Sequence, residues 1–234
     1  MRKRILAIIP AYNESDSIAE VISETRRLQP GIDILVVNDG STDNTGELAK
    51  ETGITVLDHP FNLGIGATMQ TGYRFAEKHG YDIAIQLDGD GQHPPDQLEN
   101  LITPVTNERA DMVIGSRFHS KEYSHVLTRW VGMVIFAKIV STITGEKLTD
   151  TTSGFRAVNS KVIAFFCGNY PDDYPEVEAL VLLHKAGFHI EEVPARIEER
   201  KGGVSSISFL GGIYYMTKVI LAVFIDLLKK VERV

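Results

Sequence analysis

The chain has 234 residues, enough for one large domain with a sizeable core or for two small ones. Hydrophobic residues make up 43% and charged residues 24%, an ordinary globular composition that argues against disorder. Twenty-four Lys and Arg against 31 Asp and Glu give a net charge of −7, which disfavours nucleic acid as a partner, and the single cysteine, Cys167, excludes an internal disulfide or a cysteine-cluster zinc site.

Met1-Arg2-Lys3-Arg4 leads into an apolar stretch over residues 5–9 that Pro10 ends. It is too brief for a signal-peptide core or a membrane span, so a reducing, cytoplasmic setting is expected. The first half then alternates β-rich runs (5–9, 32–37, 54–57, 83–87 and 112–114) with helix-like stretches (15–28, 43–52, 67–79 and 95–106). Alternation at this spacing predicts βαβ units, an α/β fold and a mostly parallel sheet flanked by helices. Helix starts are marked by Ser15 or Asp16, by Ser41-Thr42-Asp43 and by Pro94-Pro95.

Beyond residue 116 the pattern is irregular. Residues 130–144 read as an apolar helix broken only by Lys138, 155–158 and 189–193 as strands, and 177–186 as a helix. From 202 to 225 the one charge is Lys218, which is costly at the centre of a membrane span. The expectation is therefore a domain over 1–206 and an amphipathic helical appendage over 207–234. That appendage is expected against a membrane surface, a partner or the protein's own core, with Lys229, Lys230 and Arg233 beyond it.

In open α/β sheets ligands bind outside the carboxyl ends of the strands. Three polar clusters fall there: Ala11-Tyr12-Asn13-Glu14, Asn38-Asp39-Gly40 and Asp88-Gly89-Asp90-Gly91-Gln92. Residues two apart on extended backbone project to one side, so Asp88 and Asp90 can face one ligand. Crowded carboxylates repel unless a cation joins them, and hard oxygen donors favour Mg²⁺ or Mn²⁺ bridging to substrate phosphates. The competing readings are an Asp-Gly turn capping the next helix and a pair of glycosidase carboxylates. Asp39 is either an Asx turn or an acceptor for a base or ribose; with Asp90 holding a metal on a diphosphate, the pocket would suit a nucleotide. Asn62-Leu63-Gly64-Ile65-Gly66 lacks the third glycine of a dinucleotide fingerprint, Met69 standing in its place, and is expected to make a tight backbone approach. The histidines, His59 among them, are scattered without obvious partners, and His93 reads as a helix-entry residue.

The succession Ile9-Pro10-Ala11-Tyr12-Asn13-Glu14, Val37-Asn38-Asp39-Gly40-Ser41-Thr42-Asp43, Asn62-Leu63-Gly64-Ile65-Gly66 and Asp88-Gly89-Asp90-Gly91-Gln92 resembles the family 2 inverting glycosyltransferases with a GT-A fold. Gly115-Ser116-Arg117 and Thr152-Ser153-Gly154-Phe155-Arg156 resemble the dolichol-phosphate mannosyltransferase-like, polyprenyl-phosphate branch, and the likeness runs over residues 4–206. It implies that Pro10, Tyr12, Glu14 and Asp39 hold the nucleoside, that Asp88 lies near ribose and metal, and that Asp90 with Gln92 coordinates the ion. It further implies that Arg117, Arg129 and Ser153 meet the acceptor phosphate and that Arg200 reaches the donor diphosphate. Gly89 stands where relatives commonly carry Ala, and Ser206 where many carry Lys.

A phosphate acceptor needs no general base, whereas an acceptor hydroxyl does, and Glu176 or Glu178 would then supply it. The resulting expectation is metal-dependent transfer of a sugar from a UDP- or GDP-sugar to a polyprenyl phosphate in cell-envelope assembly, at the inner face of the membrane. A small membrane-protein partner or a second copy of the chain is expected alongside. The alternatives are transfer to a hydroxyl of a growing glycan, a nucleotide-sugar-binding module without turnover, and a nucleotidyltransferase.

Overall fold

The computed structural model describes residues 3–119, 127–172, 174–198 and 209–229. Seven strands form one sheet in the order β3-β2-β1-β4-β6-β5-β7. They are β1 (Ile5–Ala11), β2 (Asp33–Asn38), β3 (Thr55–Asp58), β4 (Ile83–Gln86), β5 (Met112–Ser116), β6 (Arg156–Asn159) and β7 (Ile190–Pro194). Only β6 runs antiparallel to its neighbours, β4 and β5. Because β6 opposes both, β4 and β5 run the same way, and β7 is parallel to β5. The ends of β1, β2, β4, β5 and β7 and the start of β6 therefore share one edge of the sheet.

The strands are apolar on both sides, as a sheet covered twice requires. Leu6, Ile8, Leu35, Val37, Ala84 and Met112 face one layer, which includes α3 (Ile65–Lys78), α6 (Ser160–Asn169) and α7 (Pro175–Ala186). Ile9, Val36, Ile83, Ile85 and Val113 face the other, where α1 (Ile18–Leu28), α2 (Thr45–Glu51) and α4 (Leu98–Thr106) lie. A 3₁₀ turn over Pro95–Gln97 precedes α4, so the prolines open that helix through a turn. α5 (Leu127–Thr144) puts Phe136 and Val140 into the first layer.

The last helix, α8 (Phe209–Leu228), packs on α7 and buries Val219 and Val223 in the core of the first layer. Lys185 Nζ donates to the carbonyls of Leu227 and Lys229, which ties the end of α8 to α7. This part of the expected appendage thus belongs to the core of the domain. The expected boundary at 206 and 207 lies outside the described residues. Among the described residues no helix is long and apolar enough to cross a membrane.

Candidate active site

Chain direction reverses its winding between β1 and β4: β2 and β3 lie on one side of β1, and β4 pairs on the other. A crevice forms at such a switch point. The β1 to β2 register ends at Ala11 opposite Asn38, and the amide of Asp39 donates to the carbonyl of Ala11 (2.8 Å), so Tyr12 and Asp39 emerge side by side. On the other side Leu87 N donates to Ile8 O (3.0 Å), bringing Asp88 beside the exit of β1. Ser17 Oγ donates to the carbonyl of Gly89 (2.7 Å), which locks the two exits together. The loops that carry Pro10, Tyr12, Glu14, Asp39, Asp88 and Asp90 thereby meet at the ends of β1, β2 and β4. Tyr12 is exposed there, with nearly half its surface open.

The loop after β1 is further knitted to the loop after β2. Asn13 N donates to Ser41 Oγ (3.0 Å), Thr42 N to Asn13 Oδ1 (2.8 Å), and Glu14 N to Thr45 Oγ1 (2.8 Å). Asp43 accepts from Ser15 N and Thr45 N. Burial opposes its ionisation, but these donors and the Thr45 hydroxyl outweigh it and hold its pKa below the ordinary value. The residues read as a helix start do stand just before α2 (Thr45–Glu51), and they also clasp two strand ends.

Asp39 is buried, and its carboxylate is engaged by the chain itself. Oδ1 accepts from Leu63 N (3.0 Å) and from His59 Nδ1 (2.7 Å), and Oδ2 accepts from Gly64 N (2.9 Å). The glycine-containing loop thus makes its tight approach to Asp39. His59, read as partnerless, has two partners, the second being Thr71 Oγ1 on α3 at 3.0 Å from Nε2. Gly40 lets the loop pass: its φ is +67°, and an added Cβ would stand 2.5 Å from the carbonyl carbon of Phe61. Gly40→Ala combines a left-handed backbone with that overlap, so it is expected to cost about 2–4 kcal/mol, read as a lowered urea midpoint.

The acidic pair sits just beyond β4. Asp88 is about one-third exposed, whereas Asp90 is buried with Oδ1 accepting from Gln92 N (3.0 Å). His93 is no mere helix-entry residue. It is buried, its ring stacks on Phe155 with centroids 4.6 Å apart, and its Nδ1 accepts from Asp88 N (3.2 Å). Gly154 lies against this loop: a Cβ there would come 2.7 Å from Gln86 Nε2 and 3.5 Å from Asp88 Oδ1. Among the described residues no group of three or more His, Cys, Asp or Glu side chains forms a ready cation cage. Two carboxylates and the amide of Gln92 are nevertheless a hard-oxygen set that fits Mg²⁺ or Mn²⁺, ions that keep positions for water and substrate phosphate.

Across the edge, Arg117 follows β5 and is held by the fully buried Asp150, whose Oδ2 accepts from Arg117 N (3.1 Å) and Nε (2.7 Å). Ser153 is buried, and its Oγ accepts from Phe155 N (3.2 Å), so the hydroxyl braces the turn before β6. Glu178 turns back on its own helix, accepting from Tyr174 N (3.1 Å). Glu176 is brought within electrostatic reach of Asp88. Burial raises its pKa above the ordinary 4.5, Arg156 opposes the rise, and Asp88 adds to it.

The side chain of Arg129 and the whole of Arg200 lie outside the described residues. Glu198, two positions before Arg200, is bound on both sides to the acidic loop: its N–H donates to Gln92 O (2.9 Å), and Gln92 Nε2 donates to its carbonyl (3.3 Å). Arg156, the last residue of the motif Thr152-Ser153-Gly154-Phe155-Arg156, has a structural role that its motif does not announce. Among the described residues it is the largest fully buried side chain, with Nε donating to Ser153 O (2.7 Å) and Nη2 to the carbonyls of Thr151 (3.2 Å) and Glu176.

Residues 6–166 match the family model described as glycosyl transferase family 2, which is well over half of the chain. The chain belongs to that family. The family 2 enzyme is 32% identical to a UDP-N-acetylglucosamine–dolichyl-phosphate N-acetylglucosaminyltransferase of Methanococcus voltae, covering 83% of this chain and 85% of the relative. It is also 32% identical to an undecaprenyl-phosphate mannosyltransferase of Micrococcus luteus, covering 90% and 89%. Among solved structures it resembles glucosyl-3-phosphoglycerate synthase from Mycobacterium tuberculosis in complex with Mn²⁺, UDP and phosphoglyceric acid. The TM-score is 0.73 at 20% identity, over 96% of this chain and 78% of that one. This enzyme therefore has the GT-A-like fold, a mostly parallel seven-stranded sheet flanked by helices.

Proposed function

We propose that this glycosyltransferase moves one sugar, with inversion, from a nucleoside diphosphate donor to the phosphate of a polyprenyl phosphate. What carries the reading is the clasp of strand ends at the β1 and β4 switch point, which brings the loops bearing Asp39, Asp88 and Asp90 to one edge of the sheet. Relatives at 32% identity over most of their length bear the names of dolichyl- and undecaprenyl-phosphate sugar transferases, which supports this acceptor.

In this reading Asp39 accepts from the nucleobase, and Pro10, Tyr12 and Glu14 line the nucleoside. Asp88, Asp90 and Gln92 would hold Mg²⁺ or Mn²⁺; when bound, the cation offsets negative charge gathering on the departing diphosphate. Arg117, kept in place by Asp150, would orient the acceptor phosphate, with Arg129 as its companion. Arg200 would reach the donor diphosphate. An acceptor phosphate oxygen forms the new bond to the anomeric carbon as the bond to the diphosphate breaks, and the electron pair leaves with the diphosphate. No proton has to be removed from such an acceptor.

The same reading keeps the protein at the inner face of the membrane. α8 turns Leu221, Phe224, Ile225 and Leu228 outward, spaced as one stripe, and such a stripe suits a leaflet surface or a small membrane-protein partner. A second reading, transfer to a glycan hydroxyl, draws on Glu176, whose raised pKa beside Asp88 suits a general base.

Purified protein incubated with Mg²⁺ or Mn²⁺, UDP- or GDP-sugars and polyprenyl phosphate tests the proposal. The expected product is a lipid-linked sugar phosphate. Arg117→Gln should lower its formation by at least about 10-fold, since a guanidinium is lost from a phosphate contact. Nucleotide release that ignores the lipid, together with an indifferent Arg117→Gln and an inactive Glu176→Gln, would favour the hydroxyl acceptor.

A further inference from the structure

Asp39 has a buried line of support that neither its motif nor its neighbours in sequence announce. His59 follows β3 and spans from Asp39 Oδ1 (2.7 Å) to Thr71 Oγ1 (3.0 Å), with its side chain about one-tenth exposed. A carboxylate only accepts, so Nδ1 carries the hydrogen, and Nε2 meets a hydroxyl that can give or take one. Both ring nitrogens are therefore matched, and the ring is clamped between the end of β2 and the middle of α3.

The carboxylate has room for about four hydrogen bonds. Among the described residues three are taken: His59 Nδ1 and Leu63 N on Oδ1, and Gly64 N on Oδ2. His59 and Leu63 fill one oxygen, and Gly64 half-fills the other. What remains is a single acceptor position on Oδ2, fixed in direction because the plane of the carboxylate is pinned from three sides.

We infer that His59 is a positioning residue which, by holding the carboxylate of Asp39 in one orientation, lets this site tell nucleobases with a ring N–H from those without one. The inference rests on the proposed donor site, where Asp39 meets the base. Uracil and guanine each present a ring N–H on the edge used for base pairing, whereas cytosine and adenine present a bare nitrogen there. A fixed acceptor pairs with the first two and opposes a lone pair to the others. Sites that bury a hydrogen-bonding group discriminate strongly against a ligand that leaves it unpaired. An Asp39 free to rotate could turn its full oxygen elsewhere and would discriminate less. The role is indirect, since His59 acts through Asp39.

The test is equilibrium binding of UDP against CDP, and of GDP against ADP, to the intact protein. Wild type is expected to prefer the N–H base in at least one pair. His59→Leu keeps the volume and removes both hydrogen bonds, and it should reduce that preference by about 10-fold, or roughly 1.4 kcal/mol. The KM for the sugar nucleotide should rise with kcat little changed. His59→Asn, whose amide nitrogen can replace Nδ1, should restore the preference to within about 3-fold of wild type. Thr71→Val leaves the Asp39 contact and should lower the preference by about 2–3-fold, which keeps the idea testable if His59→Leu does not fold. Combined with Asp39→Asn, His59→Leu should add no further loss, as expected of residues acting as one unit.

A folded His59→Leu protein that weakens both members of a pair equally would assign the histidine to loop packing and overturn the inference. So would a Thr71→Val protein with unchanged preference beside an unfolded His59→Leu, or additive losses in the double variant. Wild-type protein with no preference in either pair would overturn the donor reading and this inference together. Loss of preference in His59→Leu alone, with the wild type selective, leaves the donor reading standing and supports the clamp.

Discussion

Asp90→Asn is expected to leave the fold intact and to lower sugar transfer by about 1,000-fold or more. The fold should survive because the carbonyl oxygen of Asn can still accept from Gln92 N, the bond that now shapes the loop at 3.0 Å. What is lost is the charge. Asp90 is buried just beyond β4 and Asp88 beside it is partly exposed, and in the proposed donor site the two carboxylates would share the cation that meets the diphosphate. A hard divalent ion bound by one carboxylate and an amide is held far less tightly than by two carboxylates. Mn²⁺ titration followed by electron paramagnetic resonance should show weakened binding in parallel with the lost turnover. Circular dichroism should show unchanged secondary structure. Wild-type turnover by Asp90→Asn in buffer stripped of metal would refute the assignment of this loop.

The first four strands and their helices were legible because both periodicities are strong there: apolar runs bounded by turn residues, then helical stretches with marked starts. Strand ends followed, and with them Tyr12, Asp39, Asp88 and Asp90. The position of β6 was not legible. A four-residue strand inserted antiparallel between β4 and β5 depends on partners 42 to 76 residues away, which local patterning does not report. The same holds for side chains whose partners are distant in sequence. His59 reaches Asp39 across 20 residues, and Asp150 reaches Arg117 across 33. Ser153 lies in a buried turn, where its hydroxyl accepts from Phe155 N, a burial that its motif does not report. In α8 the weak charge pattern suggested an appendage, while the four-residue spacing of Val219 and Val223 places one face in the core.

Arg156→Met should destabilise the enzyme by about 3–5 kcal/mol, seen as a large drop in the urea midpoint. The guanidinium is buried at the start of β6 and donates to the carbonyls of Thr151, Ser153 and Glu176. Methionine approximates the volume but leaves those acceptors unpaired in a dry site, and each such group costs about 1–3 kcal/mol. The charge also matters to Glu176: burial raises its pKa, and Arg156 is the larger of the two influences, with a backbone hydrogen bond, that restrain the rise. A carboxyl with a raised folded pKa binds its proton more tightly when folded, so stability falls as pH rises from the ordinary 4.5 through the raised value. Without Arg156 the raise grows and that fall should extend to higher pH. Glu176→Gln should remove this part of the pH dependence in both backgrounds. If Arg156→Met instead keeps wild-type stability at every pH, the arginine is not the tie that joins β6 to the start of α7.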